Sequence, residues 1–288
     1  MKIQHFYDPD TFTLTYVVFD TSTLDGVLID PVLDFDPASG KVESRSIQEV
    51  ITFIKDKKIR LHYILETHAH ADHLSGSQVL KETFPEAKIA ISHKITLVQE
   101  VFKNVFHLGE DFKADGHQFD QLLEDFETIK AGSLAIKIIP TPGHTPACVS
   151  FHIQDAVFTG DALFMPDYGT GRCDFPKGSA KELYHSVHHH LYSLDNQTRV
   201  FVGHDYQPND RGLLFETTIG ESKKNNIQLK ESTSEMSFVE FREARDKTLK
   251  APRLLLPSLQ VNINAGELPQ PESNGKSYLK LPLTLVKG

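Results

Sequence analysis

Short stretches of alternating hydrophobic and polar residues dominate the first third of the chain and predict strands more often than helices. The first stretch is rich in β-branched and aromatic side chains, which favours a strand. A later stretch carries apolar residues at the 3.6-residue period of a helix from Ile47 to Ile54, with Ser46 as the predicted N-cap. In chain order the prediction is a strand over 11–20, a turn at Asp25 and Gly26, a strand over 27–30, a loop over 31–40, that helix, a strand over 61–65 and a helix over 74–84.

The rest of the chain continues to alternate between predicted strands and helices. It contains no internal repeat and no low-complexity linker that would separate two domains. From Ala251 the chain is Pro-rich, so we predict one main domain over 1–250 and an extended tail over 251–288 packed on it, with one strand over 259–263. The other predicted strands are 88–91, 126–129, 134–139, 147–153, 156–159 and 199–202, and the other helices are 93–106, 179–194, 213–224 and 237–249.

Composition narrows the class of protein. The chain has 288 residues, 39% hydrophobic and 24% charged, as in ordinary globular proteins. Its net charge of −9 argues against nucleic acid and anionic membranes as partners. The two cysteines exclude a disulfide framework. Since no apolar run approaches the roughly 20 residues of a membrane span and no signal segment is evident, we expect a cytoplasmic protein.

The densest group of candidate ligands follows the predicted strand 61–65. The spacing is too tight for one helix face, where neighbours recur at three and four residues, but it suits a loop that folds around one centre. Neutral imidazole and carboxylate are ligands for zinc and iron. The loop therefore predicts a metal site built from His68, His70, Asp72 and His73.

Three further residues of the same type each follow a predicted strand. His144 comes after 134–139, Asp161 after 156–159 and His204 after 199–202. Because strand ends converge along one edge of a sheet, we expect these side chains to meet the loop around His68.

Four short motifs together resemble the metallo-β-lactamase superfamily. They are Thr-His-Ala-His-Ala-Asp-His at 67–73, Pro-Gly-His-Thr-Pro at 142–146, Thr-Gly-Asp at 159–161 and Gly-His-Asp-Tyr at 203–206. The resemblance implies an α/β fold, an αββα four-layer sandwich of two mixed β-sheets flanked by helices, with the metal site at one edge.

Within the superfamily, the segments 30–34, 159–164 and 165–175 look like persulfide dioxygenases, also called sulfur dioxygenases or the ethylmalonic encephalopathy protein group, and in particular their bacterial lactamase-like branch. This resemblance implies oxidation of glutathione persulfide, or a similar low-molecular-weight persulfide, by dioxygen to sulfite and thiol. One Fe(II) per chain would be held by His68, His144 and Asp161. Two imidazoles and one carboxylate suit such an ion, because they leave about three positions open for substrate sulfur and dioxygen.

The same residues also fit a dinuclear thioester hydrolase of the glyoxalase II type, with two zinc or iron ions. One metal would then be bound by His68, His70 and His144, the other by Asp72, His73 and His204, and Asp161 would bridge them. Under the mononuclear alternative, His70, Asp72, His73 and His204 hydrogen-bond around the iron instead. Counting ligands does not separate the two alternatives.

Several other residues have both a functional and a structural interpretation. Arg172 could bind a glutathione carboxylate through its planar fork, or pair with Asp174 or Asp167. Tyr206 could orient substrate or oxygen at the site, or form part of its wall. Cys148 is expected as a small buried core residue, the alternative being a redox-sensitive thiol. Cys173 is expected near the site, where it could meet a sulfur substrate, but not as a nucleophile. Packing or exposed positions are expected for His185, His188, His189 and His190.

The resemblance also implies partners for the chain. They are glutathione persulfide, dioxygen and a sulfurtransferase, which we expect to be a separate protein. We expect the chain to form a homodimer and to bind neither nucleic acid nor membrane.

Overall fold

Two six-stranded β-sheets form the centre of the computed structural model, which describes residues 1–284. The strands are β1 (Lys2–Asp8), β2 (Thr13–Phe19), β3 (Asp25–Ile29), β4 (Val32–Asp36), β5 (Lys41–Glu43), β6 (Arg60–Leu65), β7 (Leu74–Ser75), β8 (Lys88–Ser92), β9 (Gln121–Leu123), β10 (Thr128–Ala131), β11 (Leu134–Pro140), β12 (Val149–Ile153), β13 (Ala156–Phe158), β14 (Arg199–Phe201) and β15 (Glu216–Thr218). The helices are α1 (Arg45–Asp56), α2 (Ser77–Thr83), α3 (Ile95–Val105), α4 (Ala180–His185), α5 (Ile219–Asn225), α6 (Glu235–Asp246) and α7 (Leu255–Asn262), and α4 continues as a π-helical segment, Ser186–Leu191.

Both large sheets are mixed. The first has the order β1-β2-β3-β6-β8-β9, antiparallel as far as β3 and parallel from there on. The second runs β10 to β15 in chain order and is antiparallel except where β13 pairs with β14. A small sheet, β5-β4-β7, lies beside them.

The alternation along β2 shows how the layers pack. Leu14 and Tyr16 belong to the apolar cluster that also holds residues of the second sheet, such as Ile136. Val17 and Phe19, on the other face of the strand, belong to the cluster that contains apolar residues of α1 and α3. Because successive strand residues point to opposite faces, the first sheet is covered on both sides.

Helices α4 and α6 pack on the second sheet, because Leu183 and Phe238 belong to the same apolar cluster as residues of that sheet. The predicted αββα architecture is therefore confirmed. Within residues 1–284, none of the helices has the length and apolar character that a membrane-crossing helix needs.

The C-terminal tail differs from its prediction. The residues predicted as a strand over 259–263 lie mostly in helix α7, and Leu259 and Ile263, four residues apart, enter the same apolar cluster. Pro257 is tolerated because it lies in the first turn, where backbone N–H groups have no intrahelical acceptor. The predicted domain boundary near residue 250 stays a prediction. The last four residues of the predicted tail, 285–288, lie outside the residues that the structure describes.

The region around residues 25–46 also corrects three predictions. Asp25 and Gly26 lie inside β3 rather than in a turn. The predicted loop over 31–40 contains β4 and the turn into β5. Ser44, not Ser46, occupies the N-cap of α1, and the Asp34 carboxylate accepts bonds from Ser46 N (3.0 Å) and Oγ (2.9 Å).

Further differences lie elsewhere in the chain. Strand β1 was not predicted, and the helix predicted over 74–84 begins only at Ser77, because Leu74 and Ser75 form β7. The helix predicted over 213–224 is shorter than expected, because β15 precedes α5. The three-residue strand β9 was not predicted.

Candidate metal centre

The loops after β6, β11, β13 and β14 meet at one edge of the sandwich and bring the ligand-type residues together. His68, His144 and Asp161 each offer one ligand atom, and these three atoms lie within 4.8 Å of one another. His144 Nε2 is 3.5 Å from Asp161 Oδ2, and the rings of His68 and His144 have centroids 5.0 Å apart.

A second group lies directly beside the first. His70, Asp72 and His73 also place one ligand atom each within 4.8 Å. His204 Nε2 is 3.3 Å from both Asp72 Oδ2 and Asp161 Oδ1. Asp161 therefore stands between the two groups, where it can serve either one metal or two.

Buried atoms without hydrogen-bond partners test whether these residues fit a metal ion. Such an atom costs about 1–3 kcal/mol of folding free energy when nothing satisfies it. At the edge where the ligand-type residues meet, the atoms of this kind are imidazole nitrogens or carboxylate oxygens, which are donors that iron and zinc bind. Among residues 1–284, the partnerless atoms at this edge include His68 Nε2, His70 Nδ1, Asp72 Oδ2, His73 Nε2, Asp161 Oδ1 and His204 Nε2. The donor set fits a bound metal.

In four of the candidate ligands, the imidazole Nδ1 contacts a neighbouring protein group, while Nε2 is left for a metal. His144 Nδ1 donates to the Arg172 carbonyl at 2.6 Å, which leaves Nε2 without a proton and free to bind a cation. His68 Nδ1 lies 3.0 Å from Thr67 Oγ1. Thr13 Oγ1 reaches two rings, at 3.3 Å from His73 Nδ1 and 3.4 Å from His204 Nδ1.

Two buried carboxylates lie behind His70, and we had not assigned either of them to the site. Asp30 accepts bonds from Thr67 N (2.7 Å) and Thr67 Oγ1 (2.8 Å), and its Oδ1 is 3.0 Å from His70 Nε2. Glu66 Oε2 is 3.7 Å from the same nitrogen. Burial raises the pKa of both carboxyl groups. Asp30 lies in a segment that carried the family resemblance; Glu66 had no signal beyond preceding Thr67.

Asn262 is a third residue that the sequence did not indicate. Its Nδ2 donates to the carbonyls of His70 and His73, both at 2.8 Å, and its Oδ1 accepts from Ser75 N at 2.8 Å. Helix α7 thereby holds the backbone of the ligand loop, although 189 residues separate Asn262 from His73.

Burial sets the charge of the candidate ligands. It lowers the pKa of His68 and His70 well below the usual value, helped by neighbouring imidazoles, so both rings are neutral as a metal ligand must be. Burial also raises the pKa of Asp161. At His204 burial acts to lower the pKa, but the carboxylates of Asp72 and Asp161 outweigh it and raise the pKa overall.

Tyr206 lines a cavity of about 380 Å³ that opens onto the site. Its ring stacks on Tyr168 with centroids 4.7 Å apart. Burial and the nearby Asp161 raise the pKa of Tyr206 well above its usual value, so the phenol keeps its proton and can donate a hydrogen bond.

The Arg172 guanidinium is engaged within the protein. It binds Asp174 through two bonds, Nε to Oδ1 at 2.5 Å and Nη2 to Oδ2 at 2.6 Å. Its Nη1 donates to the Lys250 carbonyl at 2.7 Å. Asp167, the other partner considered, binds Arg211 instead. Arg172 reaches the metal site through its backbone carbonyl on His144.

The cysteines and the histidine-rich helix have structural environments. Both thiols are buried, which raises the pKa of Cys148 to about 12 and that of Cys173 well above its usual value. His188 stacks on Tyr184 with centroids 4.1 Å apart, and His190 Nδ1 lies 2.8 Å from the Pro140 carbonyl. The structure does not bring His185, His188, His189 or His190 to the metal centre.

With this geometry in view, the class of protein follows. The model of the metallo-beta-lactamase superfamily matches residues 9–204, and the chain belongs to this superfamily. It is 46% identical to glyoxylase B2 of Dictyostelium discoideum over 99% of this chain and 98% of that protein. It is also 32% identical to the mitochondrial persulfide dioxygenase ETHE1 of Bos taurus, over 92% of this chain and 88% of that protein.

Among solved structures, the crystal structure of ETHE1 from Myxococcus xanthus superposes with a TM-score of 0.73 at 28% identity, covering 93% of this chain and 100% of that one. The predicted superfamily, its fold and the likeness to the persulfide dioxygenase group are confirmed.

Proposed function

We propose that this chain is a persulfide dioxygenase with one Fe(II) held by His68, His144 and Asp161. The observation that carries the proposal is this two-histidine, one-carboxylate group, the donor set of non-haem Fe(II) oxygenases. Likeness to persulfide dioxygenase over 92% of the chain supports the same chemistry. The net reaction joins glutathione persulfide, dioxygen and water to give glutathione, sulfite and two protons.

Iron, when bound, supplies the redox chemistry that joins dioxygen to sulfur. The chain supplies the geometry. The Arg172 carbonyl fixes the His144 ring through Nδ1, and Thr67 contacts the other nitrogen of His68. Tyr206 presents a protonated phenol to the cavity, where it can donate a hydrogen bond to the substrate. The stacked rings of Tyr168 and Tyr206 line one side of this cavity.

Oxygen consumption tests the proposal. Protein purified and loaded with Fe(II) under argon is mixed with glutathione persulfide in an oxygen electrode cell. We expect one dioxygen consumed per sulfite formed and about one iron per chain. Absence of oxygen uptake in a sample of verified iron content would refute the proposal.

A dinuclear thioester hydrolase is the second candidate. Two observations favour it: the second ligand group at His70, Asp72 and His73, and the 46% identity to a protein named glyoxylase B2. This candidate predicts two metals per chain and cleavage of S-lactoylglutathione without oxygen. The same protein preparation, assayed under argon, distinguishes it from the dioxygenase.

The remaining expectations are part of the proposal. They are a cytoplasmic location, a homodimer, a low-molecular-weight persulfide as substrate and a separate sulfurtransferase as partner. Gel filtration with light scattering tests the dimer directly.

A further inference from the structure

The cavity above the metal centre has two chemically different ends. Asp72, His144 and Asp161 line its inner end, where the partnerless ligand atoms lie. Arg245 and Lys250 are exposed and line its mouth, together with Arg253. A substrate whose sulfur reaches the inner end therefore has its opposite end among cations.

Two arginines that line this cavity already form ion pairs with aspartates, but the three cations at its mouth form none within the described part of the chain. Arg172 is bound to Asp174, and Arg242 is bound to Asp246. Among residues 1–284, Arg245, Lys250 and Arg253 form no ion pair. The protein as a whole carries a net charge of −9, so these cations form a positive region where substrate would enter the cavity.

The three cations at the mouth differ in how much of their charge is offset by nearby carboxylates. Asp10 also lines the cavity, but it is 3.9 Å from Arg45. Arg253 borders a neighbouring cavity lined by Asp34 and Asp36, which offsets part of its charge. Arg245 and Lys250 do not line that acidic cavity, so they are the stronger anion-binding groups.

Arg245 lies in the last turn of α6, and the segment that carries Lys250 and Arg253 is fixed at both ends. Residues 247–254 connect α6 to α7. The Lys250 carbonyl accepts a bond from Arg172, and α7 is tied to the ligand loop through Asn262. Lys250 is therefore held at a defined position relative to the metal site, as a binding subsite requires.

We propose that Arg245 and Lys250, assisted by Arg253, form a subsite for the anionic groups of the thiol carrier, at the end remote from sulfur. The proposal rests on the proposed function, because it takes the persulfide sulfur to bind at the inner end. It assigns recognition of these anionic groups to the last turn of α6 and the α6–α7 connection, and not to the Arg172 side chain. Carboxylates of a peptide thiol and phosphates of a nucleotide thiol share the required chemistry.

Binding of unreactive thioethers tests the subsite without any oxygen chemistry. The probes are S-methylglutathione, which carries carboxylates, S-methyl-coenzyme A, which carries phosphates, and 2-(methylthio)ethanol, which is uncharged. Affinities for the iron-loaded protein are measured by calorimetry under argon. We expect Arg245→Gln and Lys250→Gln each to weaken binding of one anionic probe roughly five- to tenfold, the size of one solvent-screened charged contact.

Lys247→Gln is the matched control. Lys247 is exposed between the two subsite residues and changes the net charge equally, but it does not line the cavity. We expect its affinities to stay within about twofold of wild type, because an exposed charge that does not line the cavity is screened by water and salt. The anionic probe that loses affinity in the Arg245→Gln/Lys250→Gln double variant identifies carboxylate or phosphate as the ligand.

The proposal is overturned if the double variant binds both anionic probes as tightly as wild type, or if Lys247→Gln weakens them equally. Loss of affinity for 2-(methylthio)ethanol in the double variant would also overturn it. Since none of the probes is oxidised, cation-dependent binding without oxygen uptake would refute the dioxygenase and leave the subsite standing. If both hold, persulfide oxidation by the double variant should show a raised KM with kcat unchanged.

Discussion

Gly160 allows the loop after β13 to approach the ligand loop closely. Its φ is +49°, and a Cβ added there would lie 2.6 Å from Thr67 Oγ1. Thr67 in turn contacts both Asp30 and His68. We expect Gly160→Ala to lower the free energy of unfolding by about 2 kcal/mol and to weaken iron binding, because strain and a clash displace Thr67.

Chemical denaturation and a metal-competition titration measure the two effects of Gly160→Ala. Gly212→Ala is the control, since a Cβ there meets no atom within 4 Å. We expect it to change stability by less than about 0.5 kcal/mol. A Gly160→Ala variant with wild-type stability and iron affinity would contradict the role given to this close approach.

Asp161 and His204 separate the mononuclear from the dinuclear site. Asp161→Ala should abolish iron binding, because it removes the one anionic member of the group with His68 and His144. His204→Ala should leave most of the iron in place if the site holds one ion. Metal content by mass spectrometry beside wild type measures both, and loss of a whole metal equivalent in His204→Ala would favour the dinuclear hydrolase.

Helix α6 holds the loop that orients His144. Arg242 is 2% exposed and donates through Nε and Nη2 to Asp246 Oδ1 at 2.9 and 2.6 Å. Asp246 Oδ2 accepts from Cys173 N at 2.8 Å, next to the Arg172 carbonyl that binds His144. This buried ion pair thus positions a ligand that it does not touch.

Breaking the pair should therefore affect stability and metal binding separately. Arg242→Met should cost about 3–5 kcal/mol, because it leaves the Asp246 charge buried without a partner. The Arg242→Met/Asp246→Leu double variant should regain much of that stability, since replacing both charges by apolar groups is often neutral. It should still bind iron more weakly, because Cys173 N loses its acceptor. Unfolding and iron titrations test this, and wild-type iron affinity in the double variant would refute it.

The elements themselves show what the sequence could predict. The ligand loop and the residues after β11, β13 and β14 were recognisable because their motifs are local and each follows an apolar strand. Helix α7 was missed because Pro257 and a nearby alternation of apolar residues obscured its helical spacing. Asn262 and Asp246 were missed because each bonds to backbone atoms of residues distant in sequence, which leaves no motif. Glu66 lies only four residues before His70, but it is outside the ligand motif and contacts the His70 nitrogen that faces away from the other ligands.

In the molecule as a whole, the metal site joins loops from both large sheets. His68 follows a strand of the first sheet, whereas His144, Asp161 and His204 follow strands of the second. A bound ion therefore ties the two sheets together and replaces unsatisfied buried contacts. At a free metal concentration 100 times Kd, binding adds about 2.7 kcal/mol to the stability.

Removing the metal should accordingly lower the melting temperature by roughly 5 °C for a chain of this size. Scanning calorimetry of chelated and iron-loaded protein under argon measures the shift. Asp161→Ala provides the control, since added iron should not shift its transition. Equal melting temperatures for chelated and loaded wild type would contradict a metal at this edge.

Asn262 has a consequence for biosynthesis. Its side chain carries the bonds that hold the His70 and His73 carbonyls, and it lies near the C-terminal end of the described chain. Because a ribosome releases the chain from its N-terminus onward, all seven candidate ligands emerge before the helix that fixes their loop. We therefore expect nascent chains to capture metal weakly until α7 has docked.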